Sequence, residues 1–145
     1  MITVERRIPV GRPAEEVRRY LADFGHTVEW DPGTESCTRL DDGPVVVGAC
    51  WRNVSRFRGR RTELSYRLER YELDRLVFVG RNRTVTATDD IAVRPEAGHS
   101  LVVYRAHLRF HGVARLASPF LRPAFERLAD QVAHRLPAVL GAAGP

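Results

Sequence analysis

The chain has 145 residues, and its 43% hydrophobic and 28% charged residues are values typical of globular proteins with one hydrophobic core. The 11 glycines and 9 prolines are too few for a fibrous or low-complexity chain, and no apolar run reaches the length of about 18 residues that a membrane span needs. The formal net charge is +5 and all 23 basic residues are arginine, which excludes chemistry that requires a lysine, such as Schiff-base formation.

The first predicted elements are a strand and two short helices. Apolar residues at positions 2, 4, 8 and 10, with charged residues between them, predict a half-buried strand. Gly11-Arg12-Pro13 breaks that strand and places a proline where a helix begins. Apolar residues at 17, 20, 21 and 24 then have helical spacing up to Gly25, and the compact segment 26–33 closes on a turn.

Residues 34–111 predict a run of about six antiparallel strands, because strand-like stretches alternate there with turn signals. In the segment 61–70 the residues Thr62, Leu64, Tyr66 and Leu68 share one face, and charged or polar residues occupy the other. The segment 102–110 alternates in the same way. Strands with one apolar face are typical of an antiparallel sheet that has one face in water.

The last predicted element is a long amphipathic helix. Ser118 and Pro119 predict its start, with the hydroxyl as the cap. Its apolar stripe consists of Leu121, Phe125, Leu128, Val132, Leu136 and Val139. Because this stripe and the apolar face of the sheet must cover each other, the pattern predicts an α+β fold in one domain, residues 1–145.

Several motifs, spread over nearly the whole chain, match those of a known superfamily. Residues 10–17 read Val-Gly-Arg-Pro-Ala-Glu-Glu-Val, residues 20–24 Tyr-Leu-Ala-Asp-Phe and residues 30–33 Trp-Asp-Pro-Gly. With these motifs, the segments 47–48 and 90–93 and the closing helix, the chain resembles the START-like superfamily (SRPBCC), in its polyketide cyclase/dehydrase and lipid-transport branch. The resemblance implies a helix-grip fold, in which a curved sheet of about seven strands wraps around the C-terminal helix.

The same resemblance implies that a hydrophobic or polyketide-like small molecule binds between the sheet and the last helix. Aromatic side chains supply contact area and, for Tyr and Trp, a polar group that orients a ligand, although each of them can equally serve to fill the core. The expected ligand-binding residues are Trp30, Trp51, Tyr66, Phe78, Asp89, Tyr104, Leu128 and Val132, and Phe110 is expected in the same wall.

Asp89 has two interpretations. Strict alternation with Ile91 and Val93 places it on the inner face, where a carboxyl group must be paired, by Arg52 or Arg81, or acquire a raised pKa suited to acid–base chemistry. Alternatively, Asp89 and Asp90 mark a β-bulge that turns Asp89 toward solvent.

No metal site or cofactor is expected. His107 and His111 are four residues apart, which in a strand separates them by about 13 Å. His26, His99 and His134 have no evident partner. Cys37 and Cys50 flank the predicted turn at 41–44 and are expected to be reduced, opposite each other on paired strands, in a cytoplasmic protein.

The positive charge is spread among acidic residues, so no nucleic-acid partner is expected. Its densest cluster is Arg56, Arg58, Arg60 and Arg61, which surrounds Phe57 and is either a solvated hairpin tip or a site of transient membrane contact.

Three functions remain open from the sequence. The first is a carrier that binds a hydrophobic ligand. The second is a polyketide aromatase/cyclase-dehydratase with acid–base residues in the same cavity, for which Asp89, His26, Tyr66 and Tyr104 are the candidates although none can be assigned as catalytic. The third is a domain that binds a protein partner, which a collapsed cavity and an exposed apolar patch would indicate.

Overall fold

The computed structural model describes residues 1–143, so the last two residues of the predicted domain lie outside it. The helices and strands follow one another in the order β1 Ile2–Val10, α1 Ala14–Ala22, α2 Thr27–Trp30, β2 Thr34–Arg39, β3 Cys50–Phe57, β4 Arg60–Tyr71, β5 Arg75–Arg81, β6 Val85–Glu96, β7 His99–Phe110 and α3 Arg122–Leu140. Three-residue and five-residue 3-10 turns occupy Phe24–His26, Gly112–Leu116 and Ser118–Phe120.

The seven strands form one antiparallel sheet in the order β1-β7-β6-β5-β4-β3-β2. The first strand pairs with the last one, and β7, β6, β5, β4 and β3 are joined by consecutive hairpins. The α+β helix-grip fold, with a long C-terminal helix and short helices after the first strand, is therefore confirmed.

The apolar face of the sheet and α3 enclose the hydrophobic core. The alternation in β4 has the predicted sense, since Leu64, Tyr66 and Leu68 are buried. On the helix, Ala129, Val132 and Leu136 are buried. Burial of such side chains stabilises the fold by about 25 cal/mol for each Å² of apolar surface.

Arg6 of β1 fastens α3 to the edge of the sheet. Its Nε donates to Asp130 Oδ1 at 2.9 Å, and one of its terminal amino groups donates to the carbonyl oxygen of Glu126 at 3.1 Å. Beyond the end of α3, the amide of Gly11 donates to the carbonyl oxygen of Gly141 at 2.7 Å. Both ends of the helix are thus held against β1 and the residues that follow it.

The predicted start of the last helix is wrong. Residues Ser118–Phe120 form a 3-10 turn, the Ser118 hydroxyl donates to the carbonyl oxygen of Arg115, and α3 begins at Arg122. Pro123 explains the difference, because a proline has no amide hydrogen and is best accommodated in the first turn of an α-helix, although α3 also contains Pro137 close to its C-terminal end. Val139, predicted on the buried stripe, is 40% exposed and Leu140 is buried instead.

The two cysteines do not face each other. Cys37 pairs with Asn53, and the carbonyl oxygen of Cys50 accepts a hydrogen bond from the amide of Leu40. Arg39 pairs with Trp51, so the last pair of this ladder is not centred on the predicted turn at 41–44. For this reason Cys37 and Cys50 are out of register with each other. Both cysteines are free thiols.

Candidate ligand cavity

A cavity of about 210 Å³ lies between the sheet and α3. Strands β3, β4, β6 and β7, with Val4 of β1, form one wall, and α3 with the residue before it forms the other. The helix side is apolar and consists of Leu121, Phe125, Leu128, Ala129 and Val132. The sheet side carries both apolar and polar groups, so the cavity has a polar part in an apolar surround.

Small side chains account for the empty space. Ala87 of β6, Ala106 of β7 and Ala129 of α3 all line the cavity. Ala106 stands directly opposite Asp89 in the ladder between β6 and β7. Because methyl groups at these positions cannot span the distance between sheet and helix, the two layers do not close on each other there.

The buried end of the cavity contains Asp89, Tyr66 and Tyr104. Each of these residues is at most 8% exposed, and each lines the cavity. They come from three strands, β6, β4 and β7, so their proximity depends on the strand order of the sheet rather than on nearness in the sequence. Together with Asn53, the three side chains are the buried polar or phenolic groups of the cavity lining.

The structure decides between the two interpretations of Asp89. Strand β6 pairs without a register shift to both neighbours, so there is no bulge and Asp89 lies on the inner face. Asp90 lies on the outer face, where Arg75 donates to both of its carboxylate oxygens at 2.9 and 2.7 Å. The proposed partners of Asp89 are occupied elsewhere or distant, since Arg52 pairs with Glu63 and Arg81 is exposed.

The carboxyl group of Asp89 is protonated at neutral pH. Burial raises its pKa to about 8, and the nearby negative charge of Asp31 contributes to the shift. Burial also raises the pKa of Tyr66 and Tyr104 well above the usual value for a phenol, and the carboxyl groups of Asp89 and Asp31 add to it. All three side chains at this end therefore carry a hydroxyl hydrogen.

Gly80 determines where the Tyr66 hydroxyl lies. A methyl group at position 80 would come within 2.6 Å of Cζ of Tyr66 and within 2.7 Å of both Cε atoms. The hydroxyl-bearing end of the ring thus crosses β5 directly over this glycine, whose ladder partner on β6 is Ala87. Because the ring starts on β4, its hydroxyl points toward β6, on the side where Asp89 lies.

Asp31 is the second carboxyl group of the cavity wall, and it was not among the predicted site residues. Its Oδ1 accepts from the Gly33 amide at 3.0 Å, and its Oδ2 accepts from the Thr34 hydroxyl at 3.0 Å. Burial raises its pKa, while these two hydrogen bonds and the positive charge of Arg135 oppose that rise. The Asp-Pro-Gly turn at 31–33 was the available signal, since Asp side chains commonly accept hydrogen bonds within such turns.

Aromatic rings surround the opposite, more exposed end of the cavity. Phe57 of β3 stacks on Phe125 of α3, with ring centroids 4.5 Å apart, and Phe110 of β7 lies 6.3 Å from the same ring. Arg56 and Thr84 are exposed lining residues at this end. The stacked pair thus joins the β3–β4 hairpin to the helix at the entrance, which we call the mouth.

A family model described as "Polyketide cyclase / dehydrase and lipid transport" matches residues 1–141. The chain belongs to this family. No curated protein sequence matches the chain.

Solved structures of the same fold include a START superfamily protein from Mycobacterium smegmatis, with 12% sequence identity, a TM-score of 0.79, and coverage of 95% of this chain and 96% of that chain. The Zhui aromatase/cyclase from Streptomyces sp. R1128 has 17% identity and a TM-score of 0.75, with 99% of this chain and 98% of that chain covered. At such identities the likeness shows the fold that this family member shares with them.

The predicted ligand-binding residues of this family member divide into two groups. Tyr66, Asp89, Tyr104, Leu128, Val132 and Phe110 line the cavity. Trp30, Trp51 and Phe78 are at most 1% exposed and lie in the core outside the lining. Phe24 packs against Trp51 and Phe78, and Trp30 packs edge-on against Tyr104, so these rings support the cavity wall.

The histidines of the described chain do not converge. The His26 ring stacks on Tyr20 and bonds to its carbonyl oxygen at 2.7 Å, and His26 is not in the cavity lining. His107 contacts Thr3, and His111 contacts Thr86. Within residues 1–143 there is no group of three or more His, Cys, Asp or Glu side chains that could hold a metal ion.

Among the helices of the same residues, none is long and apolar enough to cross a membrane.

Proposed function

We propose that the protein binds a small hydrophobic or polyketide-like ring compound in the cavity between the sheet and α3. The observation that carries this proposal is the 210 Å³ cavity itself, with an apolar helix wall and polar groups at its buried end. An apolar cavity of about 150 Å³ is large enough for a benzene molecule, so this one has room for a compound with one or two rings.

The ligand-binding residues in this proposal are those that were predicted from the sequence and that also line the cavity. Leu128 and Val132 of α3 cover one face of the ring compound, and Tyr66 and Tyr104 cover part of the other. Asp89 contacts its polar group. Trp30, Trp51 and Phe78 act indirectly, by holding the aromatic side chains of the wall in place.

A cavity-filling substitution tests the proposal. Ala87→Leu adds three carbon atoms inside the cavity, whereas Ala92→Leu adds the same atoms on the outer face of the same strand. We expect Ala87→Leu to weaken binding of a fluorescent naphthalene probe at least tenfold, and Ala92→Leu to leave it unchanged, with both proteins folded by circular dichroism.

Native mass spectrometry of freshly purified wild-type protein identifies any small molecule that remains bound, and Ala87→Leu is expected to lose it. If neither the probe nor a co-purified compound occupies the wild-type cavity, the proposed function is wrong. Equal probe binding by the Ala87→Leu variant would place the probe outside the cavity and contradict the proposal in the same way.

A second candidate is a polyketide aromatase/cyclase-dehydratase, and the buried, protonated Asp89 favours it. Aldol cyclisation requires a base to remove a proton next to a carbonyl group and an acid to assist the loss of water. Asp89 has the protonation state of such an acid. Asp31 is the candidate for the base, because it is the nearby carboxyl group and accepts hydrogen bonds that favour its ionised form. His26 does not line the cavity, so it has no part in this candidate.

We also propose a transient contact with an anionic membrane surface, in a cytoplasmic protein. Arg56 and Arg61 are paired with Glu35, whereas Arg58 and Arg60 are exposed and have no salt bridge to any residue from 1 to 143. On the other side of the mouth, the turns before α3 expose Val113, Leu116 and Phe120. Exposed apolar side chains and exposed arginines are the two kinds of group that bind an acidic lipid surface.

Vesicle sedimentation tests this contact. We expect binding to vesicles containing phosphatidylserine at low salt, little binding to pure phosphatidylcholine, and loss of binding when Arg58 and Arg60 are both replaced by serine. Arg67 on β4 and Arg94 on β6, which are exposed and likewise have no salt bridge within residues 1–143, are the matched control pair. Binding that is independent of lipid charge and of the hairpin arginines would refute the proposal.

A further inference from the structure

Tyr66, Asp89 and Tyr104 share one unusual property. They are buried among apolar side chains, yet none of their hydroxyl or carboxyl oxygens has a hydrogen bond to a residue from 1 to 143, and these oxygens are not among the fully enclosed atoms but face the cavity. Burying a polar group without a partner is costly, typically about 1–3 kcal/mol in proteins. Since the three residues line the cavity, a bound molecule can reach their oxygens.

The strand register brings the three groups to one place. Asp89 and Tyr104 are diagonal neighbours on β6 and β7, because Asp89 pairs with Ala106 and Tyr104 pairs with Ile91. Diagonal neighbours on one face of a sheet are about 7–8 Å apart, within the reach of a tyrosine side chain. From the other side, the Tyr66 ring crosses β5 over Gly80 and directs its hydroxyl to β6.

We propose that the hydroxyl groups of Asp89, Tyr66 and Tyr104 bind one oxygen atom of the ligand, so that the cavity selects ring compounds that carry a ketone or phenol oxygen. This inference specifies the ligand of the proposed binding function and therefore rests on it. Each of the three groups is a donor, and a carbonyl oxygen accepts two hydrogen bonds with its lone pairs and tolerates a third, weaker one. A donor set of this kind also stabilises negative charge that develops on the oxygen.

Charge in the cavity wall favours a neutral oxygen over an ionised group on the ligand. A ligand carboxylate would be buried beside the carboxyl groups of Asp89 and Asp31, and since burial in this wall raises the pKa of both, it would disfavour the ionised form of a further carboxyl group as well. A ligand ammonium group would have to pass the exposed Arg56 at the mouth and would meet the hydrogen-bearing side of three hydroxyl groups. Neither problem arises for a ketone.

The experiment compares two compounds that differ in one oxygen atom, 2-tetralone and tetralin, by equilibrium dialysis at pH 6.5. We expect the wild-type protein to bind 2-tetralone at least tenfold more tightly than tetralin. Tyr66→Phe and Asp89→Ala should each reduce this ratio of affinities at least threefold. The reduction should come chiefly from weaker binding of 2-tetralone, while the affinity for tetralin changes little.

The controls separate the donor role from folding. Asp90→Ala removes the neighbouring carboxyl group on the outer face and should leave the ratio unchanged. Asp89→Asn keeps a donor at the same position, so it should preserve most of the ratio even if Asp89→Ala folds poorly. Gly80→Ala displaces the Tyr66 ring without removing its hydroxyl and should reproduce the effect of Tyr66→Phe.

The outcomes distinguish the two claims. If both compounds bind the wild type equally, or if the ratio survives in Tyr66→Phe and Asp89→Ala, the oxygen site is wrong and the cavity proposal stands. If neither compound binds, the binding function fails and the oxygen site fails with it.

Discussion

Asp89 lowers the stability of the fold at neutral and alkaline pH. Its carboxyl group has a pKa of about 8 in the folded protein, whereas an Asp in an unfolded chain has a pKa of about 3.9. Between these values the folded state holds a proton that the unfolded state has released, so the free energy of unfolding decreases as the pH rises through this range. A buried acid without a partner is therefore retained at the expense of stability, as expected of a functional group.

The Asp89→Asn variant should reveal this contribution. The amide has no proton to release, so we expect the variant to be more stable than the wild type at pH 8.5 and to lose less stability between pH 5 and pH 8.5, by several kcal/mol. Urea unfolding at several pH values measures both slopes. Other carboxyl groups are common to the two proteins, and Asp90→Asn gives the matched control. Parallel stability curves for wild type and Asp89→Asn would contradict the assigned pKa.

At the scale of elements, the sequence predicts most strands because their burial alternates, as in β4 and β7. It also predicts the buried stripe of the last helix up to Leu136. The helix start could not be located in the same way, because Ser118-Pro119 and Arg122-Pro123 are both acceptable N-terminal patterns. A start at Ser118 would place Pro123 in the helix interior, where a proline costs a hydrogen bond, and the structure instead places it in the first turn of α3.

Predicting the site required information that alternation does not contain. Alternation gives the face of the sheet on which a residue lies, so it placed Tyr66 and Tyr104 on the inner face, but it left Asp89 open between that face and a β-bulge. It does not give depth relative to neighbouring strands, and for this reason Trp51 and Phe78 were indistinguishable from lining residues. The turn at 31–33 indicated the local hydrogen bonds of Asp31, but its nearness to Asp89 and the packing of Tyr66 over Gly80 depend on distant parts of the chain.

At the scale of the whole molecule, the sheet and α3 meet at the mouth through the stacked rings of Phe57 and Phe125. Both rings line the cavity at its more exposed end, and a stacked aromatic pair contributes about 0.5–1.5 kcal/mol beyond the burial of its area. Separation of the pair is therefore a small but measurable barrier to entry and exit. Because it lies far from the Asp89 end, it should affect rates more than equilibrium affinity.

The Phe57→Ala variant tests this function of the mouth. We expect the association and dissociation rate constants of a fluorescent naphthalene probe to rise together, by about two- to tenfold from the stacking energy, with the dissociation constant changed less than threefold. Stopped-flow fluorescence measures both rates. Phe120→Ala removes a ring that is 77% exposed and outside the cavity lining, so both rates should equal those of the wild type. A Phe57→Ala variant that loses affinity without faster entry would show that Phe57 contacts the ligand instead of controlling its passage.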